Sequence, residues 1–386
     1  MEEKYSRLLH LPAPGTETCF LWGPRQAGKS TLLRETYPEV DPIDLLRPEI
    51  FRRYMQNPEI LIDECRMSRP RLVIIDEVQK VPAVLDAVHW LIENEGINFI
   101  LCGSSARKVR RNHANLLGGR GVRYELLGLS AAEIGPGIDL VRLLNQGYLP
   151  PLYTADKSRA RALLDAYVSQ YIKEEIAAEG LARNLPSFGE FLSLAALSDG
   201  EVVNYTTIAR DTGVSSQTVR GYFEILEDTL LGRFLPAYRR RPKRRTVAAP
   251  KFYFLDVGVA GFLARRGAVE PGSELFGKAF ENWVFHELCC YNAYRRRYAE
   301  FHYWRLSSGT EVDFLVNHIE CAIEVKASRR IRADHLKGLR ELSREHPETA
   351  RRVVVSLDEH NRTTDDGIDI LHWRRFLDEL WSGAFF

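Results

Sequence analysis

Apolar residues follow three different rhythms along the 386-residue chain. Between about residues 15 and 135, the short runs TCFLWG, RLVIID and INFILCG alternate with helix-length segments. Each run is bounded by turn or charged residues, as strands covered on both faces are. Strands spaced this way predict βαβ units and a parallel sheet. GPG at 135–137 and LPP at 149–151 punctuate the chain as a linker would. From about 160 to 230 strand alternation stops, and 188–198, 205–212 and 215–227 read as helices. Gly213 turns the second into the third, and Ser215 is suited to cap the third. The strand-like LLGRFLPAY and KFYFLD follow, with RRRPKRR at 239–245 between them. The last 110 residues change again: a helix at 276–294, strands at 301–306, 311–317 and 320–327, a helix at 333–346, a strand at 351–357 and a terminal helix. The pattern predicts an α/β protein in three parts, 1–137, 138–250 and 251–386: a parallel-sheet domain, a helical linker with a winged-helix-like module, and a separate α/β domain.

Bulk properties narrow the function classes. Hydrophobic content of 45% and charged content of 27% are those of a globular protein. A formal net charge of +1 creates no global field toward nucleic acid, so any such affinity must come from local patches. Cys19, Cys65, Cys102, Cys289, Cys290 and Cys321 are dispersed and form no CxxC pair, which argues against a disulfide framework or zinc site and fits a reducing compartment. MEEKYSRLLH lacks a signal-peptide run, and nowhere do eighteen apolar residues follow one another. The expectation is a cytoplasmic protein with no membrane span.

Gly23-Pro24-Arg25-Gln26-Ala27-Gly28-Lys29-Ser30 fits GxxxxGK[ST], with a strand before it and a helix opening at Ser30-Thr31 after it. Glycines there let backbone N–H groups curl around a β-phosphate at the positive end of the helix dipole. Lys29 is expected to reach the β/γ-phosphates and Ser30 to offer its hydroxyl to Mg²⁺. Leu72-Val73-Ile74-Ile75-Asp76-Glu77 is the matching acidic strand end. Asp76 is expected in the magnesium shell, and Glu77 is placed to polarise the attacking water. A third strand ends in Ser104 and Ser105, either of which is a candidate γ-phosphate sensor; a helix N-cap is the equal alternative. Arg120, in a glycine-rich loop, is a candidate phosphate contact within the chain or across a subunit interface, or else a solvated arginine. ATP with Mg²⁺ is the implied cofactor.

GPRQAGKSTLL, LVIIDEVQKVP, FILCGSSARK and GGRG together resemble the large prokaryotic family of AAA-type ATPases whose C-terminal domain resembles a nuclease. The resemblance runs over most of the chain. It implies a P-loop fold, ATP hydrolysis, and a ring or dimer as the candidate assembly. In the middle region, the candidate recognition helix carries Arg220 but also Glu224, Glu227 and Asp228, a poor face for a phosphate-lined groove. Arg239, Arg240, Arg241, Lys243, Arg244 and Arg245 are better suited to DNA or RNA backbone contact; a solvated edge-protecting loop is the alternative.

Glu311-Val312-Asp313 and Glu324-Val325-Lys326 resemble the PD-(D/E)xK restriction-endonuclease-like group, with Val312 in the proline's place. Alternation along a strand puts Glu324 and Lys326 on one face. A two-residue loop at Asn317-His318 would pair Asp313 with Ala322, leaving Asp313 diagonal to Glu324 at roughly 7–8 Å; a four-residue loop keeps the same parity. Asp313 and Glu324 are then candidate ligands of Mg²⁺ or Mn²⁺, and Lys326 a candidate for orienting water or stabilising the transition state. The resemblance further implies Glu281 as an additional metal acid, on a helix seated by Phe280, Trp283 and Val284. His286 is a lesser candidate ligand, better read as a packed or surface histidine. The sequence therefore points to an ATP-hydrolysing protein acting on nucleic acid, with a candidate metal-dependent nuclease site. The alternative is a non-cleaving regulator or signalling ATPase working through DNA or protein.

Overall fold

Buried apolar runs become strands where the pattern places them. The computed structural model describes residues 5–104, 116–172, 185–239 and 247–386. The chain divides into two units: Ser6–Gly128 with Ile225–Leu231, and Leu129–Glu224 with Gly232–Phe386 and Tyr5.

The first unit holds a five-stranded sheet of β1 (Thr18–Trp22), β2 (Ile43–Asp44), β3 (Leu72–Asp76), β4 (Asn98–Gly103) and β5 (Gly121–Glu125), in the order β2-β3-β4-β1-β5. Every pairing is parallel. All five residues of β1 and all five of β3 are buried, as strands with both faces covered must be. The apolar-run criterion finds β1, β3 and β4 and passes over the two edges. β2 has only two residues, and β5 (GVRYE) carries Arg123 and Glu125, tolerated where a strand pairs on one side.

In the second unit the helices Leu185–Leu197 and Tyr205–Thr212, and the Ser216–Asp228 helix as far as Glu224, precede an antiparallel ladder of β6 (Gly232–Leu235) and β7 (Lys251–Phe254), which pairs Gly232 with Phe254 and Leu235 with Lys251. Gly213 ends the second helix at φ 68°, and Ser215 Oγ caps the third by accepting from Thr218 N at 3.1 Å. Phe188, Phe191, Tyr222, Phe223 and Phe252 pack edge to face around this ladder.

The same unit contains β8 (Phe301–Arg305), β9 (Glu311–Val316), β10 (Cys321–Lys326), β11 (Arg351–Ser356), β12 (Arg362–Thr363) and β13 (Asp369–His372), ordered β12-β13-β11-β10-β9-β8. β8–β9, β9–β10 and β12–β13 are antiparallel, whereas β10–β11 and β11–β13 are parallel. The β9–β10 register corrects the two-residue loop. Val316 pairs with Cys321, Leu315 with Ala322 and Phe314 with Ile323, so residues 317–320 form the loop. Extending that register puts Glu324 directly opposite Asp313 and no longer diagonal to it. Asn317, His318 and Ile319 take φ of 45°, 49° and 75° to make this turn, a region that Asn and His enter more readily than most residues and a β-branched Ile rarely does. Val312 lies at 0% exposure in a core with Trp304, Leu315, Leu339 and Val354, a place where an apolar branched side chain packs. The Glu274–Tyr294 helix buries Phe280, Trp283 and Val284 completely. All six cysteines are buried thiols. Among the described residues no helix is long and apolar enough to cross a membrane.

Candidate functional site

Two clusters of chemically capable residues stand out, one in each unit. In the first, β1 ends at Trp22, the chain turns through residues 23–28, and the Lys29–Thr36 helix begins. Gly28 makes the entry at φ 93°, a conformation that strains any side chain. Gly23, Pro24 and Ala27 are buried, Arg25 and Gly28 are half-buried, and Gln26, Ser30 and Thr31 are exposed. Lys29 is buried, and its Nζ donates to Gly23 O at 2.7 Å and Pro24 O at 3.0 Å. Carbonyls hold an ammonium without cancelling its charge, so the loop keeps a full positive charge at its centre.

Ser30 Oγ donates to Asp76 Oδ2 at 2.8 Å, joining the loop helix to the end of β3. Asp76 Oδ1 accepts the Glu77 N–H at 2.9 Å. Glu77 itself sits at φ 57° and is 7% exposed. Burial pushes its carboxyl above the ordinary range; Lys29 and Arg25 pull it back, and Asp76 adds to the rise. Gln79 Nε2 donates to Glu77 Oε2 and, at 3.1 Å, to Ser104 Oγ, tying β3 to β4. Ser104 is thus linked to the candidate base, while Ser105 lies outside the described residues. Arg120 is ion-paired with Glu93 and donates to Leu117 O at 3.4 Å, so its guanidinium is engaged away from the loop residues. Sequence reasoning missed two contributors. Arg7 donates to Ala27 O, to Leu127 O at 2.8 Å and to Gly128 O at 3.2 Å, bracing the loop from behind. Gln79 closes the Ile75-Asp76-Glu77-x-Gln79 pattern that carries the family resemblance, but that pattern gave it no role. A buried cation in a backbone turn, with a hydroxyl and two carboxylates beside it, fits a triphosphate with magnesium.

In the second unit, β9 and β10 bring Asp313, Glu324 and Lys326 together, and the Glu274–Tyr294 helix adds Glu281. Asp313 Oδ2 accepts from Val325 N at 2.8 Å. Lys326 Nζ lies 2.5 Å from Glu324 Oε1. Glu324 Oε2 is buried without a hydrogen-bond partner. Burial raises both the Asp313 and Glu324 carboxyls; mutual repulsion adds to Asp313, and Lys326 opposes the rise at Glu324. The residue missed here is Lys251, the first of β7. Its side chain is 3% exposed, and Nζ lies 3.2 Å from Glu281 Oε1, 3.5 Å from Glu311 Oε1 and 4.0 Å from Asp313 Oδ1. Burial alone would lower its pKa, but Glu281, Asp313 and Glu311 outweigh that and raise it. Tyr253 OH donates to the same Glu281 oxygen at 2.5 Å. Alternation in KFYF puts Lys251 and Tyr253 on one face, and a lysine opening an otherwise apolar strand is the signal that was available. The oxygens are of the kind that hard cations take, but among the described residues no three acidic, imidazole or thiol groups converge as metal ligands; ammonium groups stand between them.

The remaining predicted residues are placed as follows. His286 is 1% exposed, stacked on Tyr148 at 4.1 Å, with Nε2 3.0 Å from Leu129 O. Arg220 lies over the Tyr205 ring at 4.7 Å. Of the basic stretch, Arg239 donates to Ala248 O, and Arg240 to Arg245 lie outside the described residues.

Comparison with known proteins bears mainly on the first unit. Residues 16–135 match the model of an AAA domain, and residues 138–270 and 276–376 match two domains of unknown function (DUF8612 and DUF4143). An uncharacterized protein of Mycobacterium bovis and one of Mycobacterium tuberculosis are each 27% identical over 310 residues, covering 77% of this chain and 66% of theirs. An uncharacterized protein of Haemophilus influenzae is 22% identical over 321 residues, covering 78% of this chain and 75% of its own. The chain thus spans just under two thirds of the mycobacterial relatives. The matched AAA domain and the five-stranded parallel sheet agree on an AAA-type P-loop domain over residues 16–135.

Proposed function

We propose that the chain binds ATP with magnesium at residues 23–31 and hydrolyses it. The 2.8 Å bond from Ser30 Oγ to Asp76 Oδ2 carries this reading, because it brings the loop helix and the acidic strand end to one point with Glu77 beside it. Bound magnesium-ATP supplies the electrophilic γ-phosphorus and the metal charge that offsets the phosphates. Backbone N–H groups of the 23–30 turn, Pro24 excepted, would hold the phosphates together with Lys29 Nζ, and Ser30 and Asp76 would hold the ion. Glu77 takes a proton from water on its carboxylate, and Ser104 reports on the site through Gln79. The test is steady-state phosphate release. Lys29→Ala should abolish turnover, and Glu77→Gln should reduce it by about 10²–10⁴-fold while still binding ATP. Unchanged hydrolysis by Glu77→Gln would remove the assigned base.

A second reading concerns what the ATPase acts on. Asp313, Glu324, Lys326 and Glu281 sharing one face favours a nuclease-like role for the C-terminal cluster, with the helices and β6–β7 ladder of residues 185–254 as a winged-helix module and the 239–245 stretch contacting DNA or RNA. A non-cleaving regulator would use the same surfaces for contact alone. Cleavage of DNA and RNA with Mg²⁺ or Mn²⁺ separates them: the nuclease-like reading expects Asp313→Ala to lose cleavage and keep ATP turnover. Equal cleavage by Asp313→Ala would end it.

A further inference from the structure

Among the described residues, four carboxylates, Glu281, Glu311, Asp313 and Glu324, lie against three cations, Lys251, Lys326 and Arg305. Buried carboxylates must be neutralised, hydrogen-bonded or protonated. The three cations do not share this work evenly. Lys326 sits at the rim, a third exposed, and serves Glu324 Oε1. Arg305 reaches Glu311 from outside at 3.2 Å. Lys251 alone reaches three of the acids, and its side chain is 3% exposed.

The position is also fixed from several sides. Lys251 is held by its backbone pairing with Leu235 in the β6–β7 ladder. Two residues along the same strand, Tyr253 OH grips the Glu281 oxygen that Lys251 contacts. The Tyr303 ring lies 5.6 Å from Nζ and closes another side. A divalent ion joining Glu281, Glu311 and Asp313 would have to draw their oxygens to about 2.0–2.6 Å around the space Nζ now fills. Without Lys251, the four carboxylates would face two cations among the described residues, an excess, when all are ionised, of two negative charges that one divalent ion would cancel.

We propose that Lys251 is the resident cation of the C-terminal carboxylate cluster, its ammonium holding Glu281, Glu311 and Asp313 in the place a divalent ion would require. The cluster is thereby ion-paired by the chain itself, and metal enters only if Lys251 leaves. This bears on the second reading: a cluster filled by the chain's own cation favours contact without cleavage, and cleavage would require Lys251 to leave. Because the test reads metal binding and not cleavage, either can fail alone.

The test is Mn²⁺ titration of the nucleotide-free full chain, followed by the electron paramagnetic resonance of free Mn²⁺. Wild type and Asp313→Asn should give the same isotherm, since any binding near Ser30 and Asp76 is common to both. Lys251→Met should gain one further equivalent, at least ten-fold tighter than anything wild type binds at the cluster. Lys251→Met/Asp313→Asn should lose it again. A folded Lys251→Met protein that gains no site overturns the proposal. So does wild-type binding that Asp313→Asn removes, a comparison that decides the matter even if Lys251→Met fails to fold.

Discussion

Gln79 shows how one amide can govern a neighbour's chemistry. Its Nε2 holds Glu77 and Ser104 together, and its Oε1 is buried against Gly103 with no hydrogen-bond partner among the described residues. A Cβ on Gly103 would stand 2.2 Å from that oxygen and 2.7 Å from the Trp22 ring, so this strand end admits only glycine. The hydrogen bond from Gln79 lowers the Glu77 pKa against the rise that burial imposes. Removing it raises the pKa further, and a base must be ionised to work. Gln79→Ala is therefore expected to lower kcat about ten-fold at neutral pH, leave KM for ATP within two-fold, and move the acidic limb of the kcat profile to higher pH. Gly103→Ala should show the same kinetic change with a stability loss of about 1–3 kcal/mol in urea melts. A change in KM alone would assign Gln79 to binding. At this scale the sequence displayed the loop and the acidic pair because their chemistry requires fixed spacing. Arg7 and Lys251 were harder to see, because each acts on residues that only the folded chain brings near; Gln79 stands two residues from Glu77, and only its link to Ser104 needs the fold.

Among the elements, the Val257–Leu263 helix depends on one carboxylate beyond its own length. Asp256 Oδ1 caps it by accepting from Val259 N at 3.0 Å, while Oδ2 accepts Tyr148 N at 2.7 Å and Leu149 N at 2.9 Å. The helix start and the entry to the Pro150–Thr154 helix are thereby fixed to one side chain. Burial raises its pKa to about 6, and these N–H groups oppose the rise. Asp256→Ala leaves three buried donors unpaired, at about 1–3 kcal/mol for each. The loss in a urea melt should be at least about 3 kcal/mol, with Asp256→Asn, which keeps one oxygen, in between. A loss below about 1 kcal/mol would mean water replaces the carboxylate. Element prediction succeeded for β1, β3 and β4 because burial on both faces writes an apolar run. It passed over β12 and β13, of two and four residues, since Arg362-Thr363 is exposed and carries no apolar residue and β13 begins and ends on polar residues. The 317–320 loop is the four-residue alternative, closed by three successive non-glycine residues at positive φ.

On the scale of the whole molecule, the thiols have a consequence of their own. Cys19, Cys65 and Cys102 belong to the unit with the phosphate loop; Cys289, Cys290 and Cys321 belong to the other. Only thiolates attack electrophiles, and burial raises Cys65 to about 11 and Cys321 to about 12. An alkylating reagent therefore meets each trio only during openings of the surrounding structure. The chain carries two intrinsic clocks for its own breathing. Pulse-labelling followed by peptide mass mapping would time each half separately, with no dye, tag or engineered probe.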